Sequence, residues 1–190
     1  GTPPPSPLPI PLMASGVDAR TLQALSPWME ERGIRLTAGA AGSADEPSPT
    51  DFKPGSPVSV ILADGDLRIG GVGTVTWVEG KRLLAYGHPM LGSGSTELPL
   101  GGAEVVEVVS SYRLSFKLSN IGSVEGTLWQ DSTSGIQGEI GRIPYMIPIR
   151  IESDAGIESP VVGSLAEHRF LTPSMALLYA AQTVLAAEEG

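Results

Sequence analysis

Short apolar runs separated by turn residues make up most of the chain from residue 57 onward. Val, Ile, Leu and aromatic side chains dominate these runs, and Gly, Asp, Ser or Pro stands between them. Runs of about four to eight such residues bounded by turn formers are typical of β-strands. The pattern therefore predicts strands at residues 58–62, 71–78, 82–86, 103–109, 112–118, 123–130, 136–140 and 146–152.

Two dipeptides in this region, Asp64-Gly65 and Glu79-Gly80, have the composition of tight turns. The second separates two predicted strands by the length of a hairpin loop, so Trp77 and Leu83 should lie on one hairpin. The region shows no alternation of strands and helices, which would indicate a parallel sheet. We therefore expect a mainly β fold, built as an antiparallel barrel.

Two other segments have the apolar spacing of helices. Asp18 can cap a helix whose apolar residues recur at intervals of three and four and which ends at Gly33. Near the C-terminus, Pro173 stands at a first-turn position before a long apolar run. Because this second helix is apolar around much of its circumference, it should pack on the barrel or on a partner.

The first part of the chain is less regular. It opens with Gly1-Thr2-Pro3-Pro4-Pro5-Ser6-Pro7-Leu8-Pro9-Ile10-Pro11, an extended tract with few backbone donors that resembles a linker. Residues 38–54 are mostly Ala, Gly, Ser, Pro and Asp, which predicts a mobile surface loop. The expected organisation is a proline-rich linker at 1–17, a short helix with a flexible loop at 18–54, and a β-barrel domain with a C-terminal helix at 55–190. We expect the whole to be a piece of a longer protein.

Composition excludes several function classes. The net charge of −9 and the absence of any run among the 12 Lys and Arg residues argue against a nucleic-acid partner, which needs clustered positive charge. The chain has no cysteine, so disulfides, thiolate metal sites and a cysteine nucleophile are excluded. No apolar run reaches the ~20 residues that span a bilayer.

His88 is the strongest candidate for chemistry. It follows the predicted strand 82–86 within Gly87-His88-Pro89, where Gly87 permits close backbone approach and Pro89 fixes φ. A neutral imidazole on such a stiff corner suits a general base, because it can take a proton from a serine hydroxyl and return it to a leaving amine. The alternative is a turn histidine that bonds only to the backbone.

The segments Gly73-Thr74-Val75-Thr76-Trp77 and Leu84-Ala85-Tyr86-Gly87-His88-Pro89 resemble the histidine motif of the SpoIVB peptidase family, serine proteases related to the trypsin-like fold. Over about residues 58–187, the chain also resembles the long members of this family, which belong to the bacterial cell envelope. The further matching motifs are Glu97-Leu98-Pro99-Leu100, Ser115-Phe116-Lys117, Gly126-Thr127-Leu128-Trp129-Gln130-Asp131, Gly135-Ile136, Met146-Ile147-Pro148 and Phe170-Leu171-Thr172-Pro173.

This resemblance implies that the chain is the histidine-bearing part of a serine endopeptidase, with His88 as general base and a trypsin-like half barrel as its fold. The family's nucleophile belongs to a Gly-Met-Ser-Gly-Ser-Pro type motif, which this chain lacks. The long members have that motif upstream of the histidine segment, so the nucleophile is expected upstream of Gly1 and this chain alone should be inactive. The implied location is extracytoplasmic, in the periplasm or cell envelope. The implied partner is a polypeptide substrate or the upstream part of the parent chain.

The other candidate residues have simpler interpretations. Ser56, in Pro54-Gly55-Ser56-Pro57, superficially resembles the missing serine motif, but a strand-initiating turn accounts for it better. Three further serines, Ser93, Ser95 and Ser110, are expected to be turn or strand residues. His168 is expected at the surface or as a helix cap.

No orienting acid is assigned to His88. Asp64, Asp66 and Asp131 stay open as alternatives, although Asp131 has the setting of a turn residue that bonds its own backbone. His88 has no pair of ligand-type residues at suitable spacing nearby, so we predict no metal and no cofactor. The competing hypothesis to a peptidase part is a non-catalytic β-barrel module for protein binding or envelope architecture, in which His88 is structural.

Overall fold

A computed structural model describes residues 9–39, 51–109, 116–152 and 159–187 of the chain. Ser110, residues 1–8 of the predicted linker, residues 40–50 of the predicted loop and residues 112–115 of a predicted strand lie outside this part. The described elements are β1 (Ile10–Ser15), α1 (Ala19–Glu30), β2 (Ile34–Ala38), β3 (Pro57–Gly65), β4 (Arg68–Glu79), β5 (Arg82–Ala85), β6 (Gly94–Val109), β7 (Phe116–Ser132), β8 (Gly135–Ile140), β9 (Met146–Ile151), β10 (Val161–Ala166) and α2 (Leu171–Ala187).

Six strands close into a ring in the order β3, β4, β5, β8, β7, β6 and back to β3. Every neighbouring pair in this ring is antiparallel. The sheet continues outside the ring, with β1 and β2 added beside β4 and with β10 and β9 added beside β3. The expected mainly β fold with an N-terminal and a C-terminal helix is confirmed.

Local turn signals placed one hairpin turn correctly and the other turn two residues too early. The Glu79-Gly80 turn joins β4 to β5, where Trp77 lies opposite Leu84 and Val78 lies opposite Leu83. Asp64 and Gly65 are the last two residues of β3, and the connection to β4 is Asp66-Leu67, directly after the predicted dipeptide. A tight turn depends only on residues a few positions apart, so it can be predicted from the local sequence.

The sequence prediction differs from the structure for three strands, β1, β2 and β10, which were not expected. β1 lies inside the predicted linker, where Pro9 and Pro11 argued for an unpaired segment. Its residues Leu12, Met13 and Ala14 are nevertheless buried, because the strand pairs in parallel with β2 and antiparallel with β4. Long-range pairing of this kind leaves little local signal.

The two helices follow their capping and apolar patterns. The Asp18 carboxylate accepts the N–H of Thr21 at 2.7 Å, as the capping prediction requires, and α1 ends at Glu30, before Gly33. α2 packs on the sheet and on α1, and it contributes Met175, Leu178 and Tyr179 to the main apolar core. Within the described residues, neither helix combines the length and the hydrophobicity needed to cross a membrane.

Candidate functional site

The corner that carries His88 begins with two residues in the left-handed region. Tyr86 has φ of 75° and Gly87 has φ of 74°, so the chain turns sharply out of β5. For a non-glycine residue this conformation costs about 1 kcal/mol or more. The backbone N–H of Tyr86 donates to the carbonyl of Thr74 at 3.0 Å, which ties the corner to β4. Tertiary contacts therefore hold Tyr86 in a conformation that it would otherwise avoid.

The side chain of Tyr86 provides the strongest of these contacts. Its hydroxyl donates to the Gly71 carbonyl at 2.6 Å, and its ring lies directly against Gly73. A Cβ at Gly73 would fall 2.3 Å from the ring, so only glycine permits this packing. Burial raises the pKa of Tyr86 above its ordinary value, which keeps the hydroxyl a neutral donor. The glycine-rich start of the family-like motif and the Tyr-Gly-His-Pro corner thus form one packed unit.

The loop after the corner is held by a buried carboxylate. Asp131, on β7, is only 1% exposed and accepts backbone N–H groups from Met90, Leu91 and Ser93 at 2.9, 2.7 and 3.2 Å. Several charge-assisted bonds to backbone donors make a stiff anchor. Asp131 therefore bonds neither its own backbone, as its sequence setting suggested, nor the His88 ring. It fixes the segment that follows His88.

His88 itself is exposed at the tip of this corner. Its Nδ1 lies 2.8 Å from the Pro89 carbonyl oxygen, and its ring meets the Tyr86 ring edge to face at 5.6 Å. A carbonyl oxygen can only accept, so in the neutral ring Nδ1 carries the proton and Nε2 carries the lone pair. This is the tautomer that a general base acting through Nε2 requires. Among the described residues, no hydrogen-bond partner meets Nε2.

The remaining acids proposed for His88 have other partners. Asp64 forms an ion pair with Arg68 at 3.0 Å, and Asp66 accepts the N–H of Val162 at 2.7 Å. Both lie at the β3–β4 turn. Within the described part of the chain, no carboxylate bonds to His88, and the Pro89 carbonyl takes the position at Nδ1 that an acid would occupy.

The described candidate serines lie in turns or strands, as expected, but one of them also contacts a histidine. The Ser56 hydroxyl accepts the Lys53 N–H at 3.2 Å and donates to the Asp51 carbonyl at 3.3 Å, which is a turn before β3. Ser95 lies in β6, opposite Gln130. Ser93 is the exception, because its Oγ lies 3.1 Å from Nε2 of His168.

In a catalytic pair the serine hydroxyl donates its proton to the histidine, and the Ser93–His168 hydrogen bond runs in the opposite direction. Nδ1 of His168 faces the backbone N–H groups of Leu171 and Phe170, at 3.3 and 3.4 Å, where α2 begins. Nδ1 therefore accepts, Nε2 carries the proton, and His168 donates to Ser93 instead of taking its proton. Burial lowers the pKa of His168 and Arg169 lowers it further, while Asp131 acts in the opposite direction. The ring is thus a neutral cap, as predicted for His168.

Sequence reasoning missed this pair, because 75 positions separate Ser93 from His168. Neither residue lies in a motif that points to the other. The only available signal was the position of His168 just before a predicted helix, which indicated its capping role and not its serine partner.

The described residues contain no group of three or more His, Asp or Glu side chains arranged to hold a metal ion. No protein-family model, curated protein or solved structure matches the chain.

Proposed function

We propose that this chain is the histidine-bearing part of a SpoIVB-like serine endopeptidase, acting on polypeptides in the bacterial periplasm or cell envelope. The observation that carries the proposal is the lone pair at Nε2 of His88, exposed on a corner fixed by Tyr86 and Asp131. The ordered motifs around His88 support the same assignment. The nucleophilic serine comes from upstream of Gly1 in the parent protein.

In this proposal the serine hydroxyl attacks the scissile carbonyl while its proton passes to Nε2 of His88. The imidazolium then donates that proton to the leaving amine as the C–N bond breaks, and water repeats the sequence to release the acyl group. The Pro89 carbonyl, which accepts from Nδ1–H, keeps the ring in the required tautomer. A neutral carbonyl stabilises the imidazolium less than a carboxylate would, so the activity depends more heavily on backbone N–H groups that stabilise the oxyanion beside the serine of the upstream part.

Labelling with a fluorophosphonate probe tests this assignment. The longer parent protein should be labelled, and His88→Gln should slow labelling by about 100-fold or more, as expected for loss of a general base. The matched control is His168→Gln, which should leave labelling unchanged because that ring donates to Ser93. Undiminished labelling of the His88→Gln parent would overturn the role of His88. Labelling of the 190-residue chain alone would overturn the upstream nucleophile.

The second candidate function is a non-catalytic module for protein binding or envelope architecture. It is favoured by the missing serine motif and by a carbonyl, not a carboxylate, at Nδ1 of His88. Under this hypothesis the parent protein stays unlabelled at every serine. The same labelling experiment therefore separates the two functions.

A further inference from the structure

A concave surface crosses five of the six ring strands, β4, β5, β8, β7 and β6, and His88 does not line it. We call it the tryptophan groove, because Trp77 and Trp129 lie in it together with Leu84. These three side chains are 40%, 36% and 40% exposed. The volume of the groove is about 770 Å³, within the range of about 300–1,000 Å³ that is usual for ligand sites. Three exposed apolar side chains in one groove indicate a binding surface.

Strand register sets the apolar residues of the groove in a row across the sheet. Trp77 lies opposite Leu84, and Leu84 lies opposite Gln137. Residues directly opposite one another share a face of the sheet. Gln137 lies opposite Gln130, where a bulge in β7 adds Trp129 to the row. The two indoles are therefore three strand spacings apart, about 14 Å, and a ligand that covers both must be elongated.

A second row of side chains, two positions along each strand from the first, is charged. Glu79 lies opposite Arg82, and Arg82 lies opposite Glu139, so the guanidinium stands between two carboxylates. Elsewhere in the groove Arg142 pairs with Glu97. The lining thus contains three carboxylates and two guanidiniums, which nearly balance. A strongly anionic ligand finds no positive field here, so an uncharged ligand fits the groove better.

The hydrogen bonds that the centre of the groove can offer come from side chains. β5 and β8 each pair with a strand on both sides, so their backbone groups are already bonded. The side chains of Arg82, Gln137 and Glu139 make no hydrogen bond or ion pair to a described residue. Arginine only donates, a glutamate carboxylate only accepts, and glutamine does both. This mixture suits hydroxyl groups, which donate and accept, better than an added polypeptide strand, which needs free backbone partners.

We propose that the tryptophan groove binds a neutral oligosaccharide. The C–H faces of its pyranose rings pack on the indoles of Trp77 and Trp129, because the face of an aromatic ring is electron-rich, and Leu84 extends the apolar floor between them. Its hydroxyls bond to the planar polar side chains of the two rows. The span between the indoles favours a chain of several sugar units over a monosaccharide. The site goes beyond the peptidase proposal and does not depend on it.

The indole N–H signals of the three tryptophans in NMR spectra test this proposal. The probes are two neutral hexasaccharides, cellohexaose and the fully acetylated chitohexaose. At least one should shift the signals of Trp77 and Trp129, with a dissociation constant of about 1 mM or tighter, and leave that of Trp28 on α1 in place. Glucose should bind about tenfold more weakly or less, because it cannot cover both indoles. Raising the ionic strength should not weaken binding, because the ligand is uncharged.

Three variants locate the binding site. Trp77→Ala and Trp129→Ala should each weaken hexasaccharide binding about tenfold or more, because each removes one stacking surface. The matched control is Trp28→Phe, which changes a tryptophan outside the groove and should leave the dissociation constant unchanged. If a groove variant is shown by its melting temperature to be unfolded, Arg82→Ala at an exposed position replaces it and should weaken binding several-fold.

Three results would overturn the proposal. Indole shifts caused by a proline-rich peptide and by neither hexasaccharide would make the groove a polypeptide site. Shifts of Trp77 and Trp129 that depend on protein concentration, without any sugar effect, would make it a contact between copies of the chain. Unchanged indole signals with both hexasaccharides at about 10 mM would exclude oligosaccharide binding altogether.

Discussion

The two histidines of this chain sit in loops that follow strands, yet they present opposite nitrogens to their surroundings. At His88 the Nδ1 atom faces a carbonyl oxygen, so the lone pair is at Nε2. At His168 the Nδ1 atom faces two backbone N–H groups, so the proton is at Nε2 and points at Ser93. The histidine that is bonded to a serine cannot take its proton, and the histidine that can take a proton has no hydrogen bond to a serine among the described residues.

This comparison teaches that the partner of Nδ1, and not proximity to a hydroxyl, determines what a histidine can do. The two imidazole rings are also held in place in different ways. His168 is bonded directly by a helix start and a serine, whereas His88 is exposed and depends on the packing of its neighbours. Changes to those neighbours should therefore have larger effects than changes to His88 itself.

The largest effect is expected for Asp131→Ala, which removes the anchor of the loop after His88. Three backbone N–H groups lose their acceptor; the Met90 donor is buried and those of Leu91 and Ser93 are half-buried, and a buried unpaired donor costs about 1–3 kcal/mol. Unfolding in urea should show a loss of about 3 kcal/mol or more. The control is Asp66→Ala, which removes one bond at an exposed turn. Equal losses for the two variants would contradict the anchoring role of Asp131.

A smaller loss is expected for Gly73→Ala, which disturbs only the His88 corner. The added Cβ would collide with the Tyr86 ring, and overpacking of this kind costs about 1–3 kcal/mol. The ring-proton NMR signals of His88 should shift while those of His168 stay in place. Gly80→Ala serves as the control, because an added Cβ there meets no atom within 4 Å; its φ of 58° is positive, unlike that of Gly73, so it carries the backbone strain of a substitution without the collision. If both variants leave His88 unmoved, Tyr86 does not position it.

The pH dependence of stability should distinguish His168 from His88. The pKa of His168 in the folded state is lowered from 6.5, so the unfolded chain takes up the proton first as pH falls. The contribution of His168 is therefore fully present above the unfolded value and is lost as pH falls toward the folded one. The free energies of unfolding of the wild type and of His168→Gln, measured in urea at about pH 7.5 and pH 5.5, give the contribution of His168 at each pH. The stability difference in favour of the wild type should shrink at the lower pH, and a constant difference would argue against a neutral, buried cap.

The smallest effect on stability is expected for His88→Ala. The ring is exposed, and its one hydrogen bond to a described residue is to the adjacent Pro89 carbonyl, so the free energy of unfolding should change by no more than about 0.5 kcal/mol. His168→Ala, which removes contacts to Ser93 and to the start of α2, should cost more. A marked loss for His88→Ala would favour the structural role of His88 over the catalytic one.

Much of the fold could be predicted from local signals. The Glu79-Gly80 hairpin, the Asp18 cap and the helix around Pro173 each depend on residues within one or two turns of one another. β1 could not be predicted, because Pro11 and the prolines before it weaken the local strand signal and its partners lie in β2 and β4. Residues 112–118 and 123–130 were also predicted as separate strands, although the described part of both belongs to the single strand β7.

The sequence by itself determined the mainly β class and the cap of α1, and it placed His88 directly after a strand. The bond that sets the tautomer of His88 is also local, because the carbonyl that accepts from Nδ1 belongs to the next residue, Pro89. Only the tertiary structure decided that Tyr86 packs on Gly73, that Asp131 anchors the following loop, and that Ser93 meets His168. The physical reason is distance along the chain: a bond between neighbours follows from local geometry, whereas bonds across 40 or 75 positions exist only once the ring of strands has closed.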